Sequence, residues 1–241
     1  DGTLRLIYQG TGANATGEGT QLSKTSGING LYDDNAYVGY MYTLNQVHGL
    51  GTDSGIKIDI DQWYKNNLIE NSEKIDGNVG FCGDREPSTS YTSSNGQGGT
   101  GTTVTYYGAY IRLDTDKTPT FECPDESDLY TIKGSSQGNG ALTYPIGLIT
   151  ADEVVYAGGF LGGRNNNNYY LYTGQTYWTM TPYGYGVPYS SASVLCVLLD
   201  GGISGIGYVS YSFGVRPVIN LKSDVQISSG NGTSSNPYVI S

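Results

Sequence analysis

The chain has 241 residues and a formal net charge of -10, with only 14% charged residues. Its 37 Gly and 23 Tyr together fill 60 of the 241 positions. That composition starves long helices of Ala, Leu, Glu and Lys, so a helical bundle or coiled coil is excluded. Twelve Lys plus Arg against 22 Asp plus Glu, with no basic cluster, argue against phosphate backbones and anionic lipid surfaces as partners. No stretch approaches the roughly 18 to 20 apolar residues of a membrane span, and no direct membrane insertion is expected. A length of 241 residues suits one core, so residues 1–241 are read as a single domain.

Thr3 to Tyr8 is rich in β formers and is stopped by Gly10-Thr11-Gly12, which makes it the expected first strand. Ile56, Ile60, Trp63 or Tyr64, and Leu68 recur with helical spacing and predict an amphipathic helix. Thr89 to Thr105 is almost entirely Ser, Thr, Gly, Asn and Gln and reads as a long loop. Thr150 and Glu153 form a Thr-x-x-Glu capping box, Ile149 and Val154 stand at staple positions, and Gly158 follows as a stop. A short helix is placed at about 150 to 157. From Tyr169 onward come short strand-like runs at 169–172, 177–180, 194–199, 208–213, 215–221 and 237–240. The pattern is α+β, with two helices followed by antiparallel strands and long loops.

The three cysteines, Cys82, Cys123 and Cys196, and the single histidine, His48, cannot assemble a Cys/His zinc site. Cys82 and Cys123 lie in similar turn-flanked settings and read either as a disulfide or as two buried thiols. Gly10-Thr11-Gly12-Ala13-Asn14-Ala15 matches a dinucleotide fingerprint but lacks the helix that must follow it. Gly134-Ser135-Ser136-Gln137-Gly138 has nucleophile-elbow spacing without the strand and helix around it. Asp125, Glu126 and Asp128, and separately Asp114 and Asp116, carry oxygens that could meet Ca2+, but no complete loop pattern is present. They read as solvated acidic loops, and no metal, cofactor or catalytic group is assigned.

The informative signal is the mixture of Tyr, Ser, Gly and Asn from Tyr169 to Phe213, the residue types that binding loops use. Tyr169, Tyr170, Tyr172 and Tyr177 are read as packing tyrosines. Tyr183, Tyr185, Tyr189, Tyr208 and Tyr211, among Gly, Pro and Ser, are expected to be exposed. The run Val194 to Leu199 lacks polar alternation, so either it is fully buried or it displays apolar side chains. Irregular periodicity over 195–213 places Leu198, Leu199, Tyr208, Tyr211 and Phe213 in one exposed patch, with Val194, Val197 and Val209 inward.

Tyr177-Trp178-Thr179-Met180-Thr181-Pro182, followed by Gly214-Val215-Arg216-Pro217-Val218-Ile219-Asn220-Leu221, resembles the C-type-lectin-fold family. That family includes formylglycine-generating-enzyme-like (sulfatase-modifying-factor-like) domains and the variable proteins of diversity-generating retroelements. Leu142 to Glu153 looks like the approach to that fold's second helix. Asn236 to Ile240 looks like its last strand, which there pairs with the first. The resemblance implies a C-type-lectin-like fold with Trp178, Pro182, Arg216 and Pro217 as scaffold. It also implies a variable segment at about 190–213, rewritten by adenine-directed mutagenesis. Mutating the adenines of an Asn codon cannot give Lys, Glu, Gln, Met or Trp, and none of the five occurs in that segment.

The expected function is therefore recognition of a protein or cell-surface ligand. The expected contact residues are Tyr183, Tyr185, Tyr189, Leu198, Leu199, Ser204, Tyr208, Ser210, Tyr211 and Phe213. The chain also resembles gut-bacterial surface proteins that carry a pilin-like N-terminal anchor, which implies an extracellular, cell-surface location through a segment not included in this chain. A structural pilin or adhesin subunit is the alternative. A formylglycine-generating enzyme would need a close pair of reactive cysteines near its C-terminal end, where only Cys196 lies.

Overall fold

The computed structural model describes residues 3–12, 14–89, 98–186 and 190–241. In chain order the elements begin with β1 (Leu4–Ile7), β2 (Met41–Tyr42), β3 (Thr52–Asp53), α1 (Gly55–Asn67), β4 (Phe81–Cys82) and β5 (Thr105–Tyr106). Then come α2 (Gly108–Tyr110), β6 (Leu129–Tyr130) and α3 (Ala151–Tyr156). The chain closes with β7 (Tyr177–Tyr185), β8 (Ala192–Val197), β9 (Ile203–Tyr208), β10 (Val218–Leu221), β11 (Ile227–Ser229) and β12 (Val239–Ile240). The architecture is α+β, its named strand pairs are antiparallel, and its main sheet has the order β5-β7-β8-β9.

Both expected helices form for local reasons. The Ser54 hydroxyl caps α1 by accepting from the Lys57 N–H, and Ile56, Ile60 and Tyr64 face the core. In α3 the Thr150 hydroxyl accepts from the Glu153 N–H at 3.2 Å, while the Glu153 carboxylate accepts from the Thr150 N–H at 2.8 Å. That reciprocal box satisfies two donors the helix end would otherwise leave open. Gly158, at φ +108°, then turns the chain out of the helix.

A third helical segment departs from the two-helix expectation. α2 runs on into a π-helical turn, Ile111–Asp116. Its Tyr, Ile and Arg content carries no helix signal, and tertiary contacts hold it instead. Arg112 sends Nε and Nη2 to the two oxygens of Asp152, each at 2.8 Å, and Nη2 also reaches Asp84.

Three strand assignments are also corrected. Residues 169–172 form a turn closed by Tyr172 N–H to the Tyr169 carbonyl, and Tyr170 is 78% exposed rather than packed. The hydroxyls of Tyr169 and Tyr172 clamp the carbonyls of Gly201 and Leu199, so these rings serve a loop, not a ladder. The strand expected at 208–213 ends at Tyr208, where a turn begins. The closing strand β12 pairs with β11, whereas β1 pairs with β10, Leu4 opposite Leu221 and Ile7 opposite Val218. Arg216 and Pro217 fix that register. The Pro217 carbonyl accepts from Tyr8 N–H at 2.8 Å, and Arg216 Nε donates to the Tyr8 carbonyl at 3.1 Å.

Cys82 and Cys123 form a disulfide with Cα atoms 5.4 Å apart, and Cys196 is a free, buried thiol. The buried apolar side chains, Trp178 and Tyr177 among them, form one connected cluster under the main sheet and both longer helices.

Candidate binding face

The middle strand of the C-terminal hairpins, β8, is buried from Ala192 to Val197. A strand with neighbours on both edges and cover on both faces has no exposed position, which accounts for its apolar run without alternation. Val194, Val197 and Val209 all point inward. Next to it, β9 is an edge strand in which Ile206 is 63% exposed and Ser204 half-buried. Gly207 is required there, because a Cβ would lie 2.7 Å from the Trp178 ring and 2.8 Å from the Val194 carbonyl. The Trp178 indole lies against the β9 backbone through that gap, fully buried, and its Nε1 donates to the Ser26 carbonyl at 2.7 Å.

From Trp178 a chain of rings leads outward. Phe213 lies 4.6 Å from Trp178, Tyr211 5.9 Å from Phe213, and Tyr208 5.0 Å from Tyr211 between centroids. The segment carrying them is pinned at both ends. Val209 accepts from Asn29 N–H and donates to the Ala192 carbonyl, and Phe213 exchanges two main-chain bonds with Ser26. Ser210, Tyr211 and Ser212 between those pins are exposed. Beside them opens a hollow of about 440 Å3, bordered by Ser210, Ser212, Lys24, Ile58 and Asp59. Asp59 accepts from Lys24 Nζ at 2.8 Å and from the Ser26 hydroxyl at 2.7 Å. The face thus combines half-exposed aromatic rings, two exposed serines and a charged pair on a backbone fixed by Trp178.

The remaining expected contact residues fall elsewhere. Tyr189 lies outside the described residues. Tyr185 is buried at 4% exposure, because its hydroxyl reaches inward to the Asp33 carbonyl. Tyr183 is half-buried in a cluster with Tyr106 and Tyr110. Leu199 is 65% exposed and Leu198 half-buried, but both sit at the opposite end of the β8–β9 hairpin from Tyr208. The length of β9 alone separates those ends by about 17 Å, so the single patch expected from sequence is two separate surfaces. Lys24, Ser26, Ile58 and Asp59 join the face only through tertiary folding, and nothing in their local sequence marks them.

The expected scaffold residues Trp178, Pro182, Arg216 and Pro217 are all buried. Arg216 is fully buried, with Nη1 donating to the Leu171 carbonyl at 3.1 Å, Nη2 to Gln9 Oε1, and its guanidinium 4.8 Å above the Tyr177 ring. Pro182 is buried where the β7–β8 register shifts, the position at which a strand tolerates a missing N–H.

Two further polar groupings complete the description. His48 Nε2 lies 3.1 Å from the Ser127 hydroxyl and 3.2 Å from Asp128 Oδ1. Both contacts use the same ring nitrogen, and the Ser127 hydroxyl also donates to Asp125 at 2.7 Å. A nucleophile, base and orienting carboxylate need the two nitrogens separately, so this is a loop clamp rather than a relay. Asp128 is buried, takes the Arg85 N–H at 2.6 Å, and has its carboxyl pushed up to about 6, chiefly by burial. It is therefore no solvated loop acid. Burial likewise pushes the Cys196 thiol up to about 12. Among the described residues no group of three or more His, Cys, Asp and Glu is placed to hold a metal ion.

Comparison with family models, curated proteins and solved structures finds no match to this chain.

Proposed function

We propose that the chain is a C-type-lectin-like binding module that recognises a protein or cell-surface ligand through Tyr208, Ser210, Tyr211 and Phe213, together with the hollow at Asp59. The observation that carries this reading is the ring chain. It begins at a fully buried Trp178, passes through Phe213 to a Tyr211 that is 43% exposed, and ends at the half-buried Tyr208, on a segment pinned at both ends. Exposed, pre-ordered tyrosines offer large contact area at low entropy cost. Pinning lets the side chains between Val209 and Phe213 change without moving the backbone, which is what a diversified surface requires; Ala192 to Val197, inside the expected segment 190–213, are core and lie outside that surface. The Cys82–Cys123 disulfide fits an oxidising, extracellular setting. The deeply buried Cys196 thiol suits a packing role better than an enzymatic one.

The test is binding of the wild-type chain and of Tyr208→Ala/Tyr211→Ala to an array of cell-surface proteins and glycans. The double variant should lose most of any affinity found while its unfolding free energy changes by about 1 kcal/mol or less. A double variant that binds the same targets as well as wild type would move recognition off this face.

A further inference from the structure

Among the described residues, strand β1 has a strand neighbour on one edge only. Tyr8 N–H bonds to the Pro217 carbonyl in register with Leu6 opposite Ile219 and Leu4 opposite Leu221. Antiparallel alternation then turns the main-chain groups of Leu4 and Leu6 toward β10 and those of Arg5 and Ile7 away from it. Among the described residues no second strand lies beside β1. A groove of about 380 Å3 lies between α3 and the face of β1 that carries Arg5 and Ile7, lined by Ile7, Val218, Phe121, Tyr156, Tyr170 and Leu171. Phe121 and Tyr156 stack at 3.9 Å, and Phe121, Tyr156 and Tyr170 are 71%, 50% and 78% exposed. An open main-chain edge beside a largely apolar groove fits an extended polypeptide with one side chain reaching into the groove.

The same chain carries a matching strand. The β11–β12 hairpin stands out from the fold, with Ile227, Tyr238 and Val239 at 58%, 57% and 51% exposure. Two-stranded hairpins are marginal alone, and among the described residues no strand lies beside the outer edge of β12. Charge selects how copies can meet. Copies carrying a net charge of -10 repel one another, yet residues 225–241 contain no Asp, Glu, Lys or Arg. At the groove, Arg5 and Glu153 neutralise each other at 2.6 Å. The uncharged hairpin and the neutral groove are therefore surfaces through which two copies can touch without opposing charge.

We propose that β12 of one copy docks beside β1 of a second copy, pairing with the outward main-chain groups of Arg5 and Ile7 and placing Tyr238 in the groove among Phe121, Tyr156 and Tyr170. The contact is head-to-tail, uses different surfaces on the two copies, and leaves a free groove at one end and a free hairpin at the other. It does not involve Tyr208 or Tyr211, so it stands or falls separately from ligand recognition.

Sedimentation velocity of the wild-type chain across about 1 to 300 µM tests this, since self-association depends on protomer concentration. The mass should rise above the 25.7 kDa of one chain. Tyr170→Asp removes the groove and Tyr238→Asp the strand, and each should weaken association at least about tenfold. Both positions are exposed, and thermal melts establish that the variants are folded, with Tyr170→Ser and Tyr238→Ser as milder replacements. Mixed in equal amounts, the two Asp variants should form 1:1 dimers and nothing larger, because one retains the hairpin and the other the groove. A wild-type chain that stays monomeric throughout, association that either variant leaves intact, or an equimolar mixture that stays monomeric would overturn the proposal.

Discussion

Trp178 shows most plainly what a single residue contributes. It is fully buried, touches the β9 backbone at Gly207, bonds to Ser26 and carries Phe213. Trp178→Ala should therefore cost about 3 to 5 kcal/mol in urea unfolding, as losing a large core aromatic does. A loss under about 1 kcal/mol would remove it from the scaffold. Asp128 makes a pH-dependent contribution. Burial raises its carboxyl from 3.8 to about 6, so between those values the folded chain holds more protons than the unfolded one. Its contribution to stability is full below about pH 4 and is lost as the pH rises past about 6. Asp128→Asn keeps an acceptor for the Arg85 N–H and does not titrate. The stability of the variant relative to wild type should thus increase from pH 4 to 7, by up to about 3 kcal/mol. Parallel pH profiles for the two proteins would contradict this assignment.

At the level of elements, what could be read in the sequence was whatever local chemistry decides. The capping box at Thr150 and Glu153 and the i, i+4 spacing of Ile56, Ile60 and Tyr64 act over a few residues, and both helices lie where they point. The apolar run of β8 was ambiguous because burial on both faces erases periodicity. The α2 segment was illegible because distant Asp84 and Asp152 hold it through Arg112. The tyrosines at 169–172 misled because strand propensity reflects side-chain bulk, and here that bulk clamps a turn. The disulfide acts at this scale, closing a separation of 41 residues between β4 and the loop before β6. Its reduction should cost about 4 kcal/mol on the chain-entropy account, read as a drop in unfolding free energy with and without reductant. Cys196→Ser should leave that difference unchanged, and a difference near zero would mean the linkage does not stabilise this fold.

For the whole molecule, the separation of a fixed scaffold from a replaceable face is the central claim. Composition suggests the proposed face at Tyr208, Ser210 and Tyr211, because binding loops favour Tyr and Ser, and the structure places these residues next to one another beside Phe213. The hollow at Lys24, Ile58 and Asp59 was not legible in composition, since three distant segments build it. Leu198 and Leu199 were grouped wrongly because sequence proximity says nothing about which end of a hairpin a residue occupies. The most direct measurement randomises Ser204, Ile206, Tyr208, Ser210, Tyr211 and Ser212 together, displays the library, and scores folding and binding of individual clones. The account predicts that most clones unfold cooperatively within about 1 kcal/mol of wild type and that the library yields binders to arbitrary protein baits. A library in which most clones are unfolded, or one that is folded but yields no binder, would contradict it.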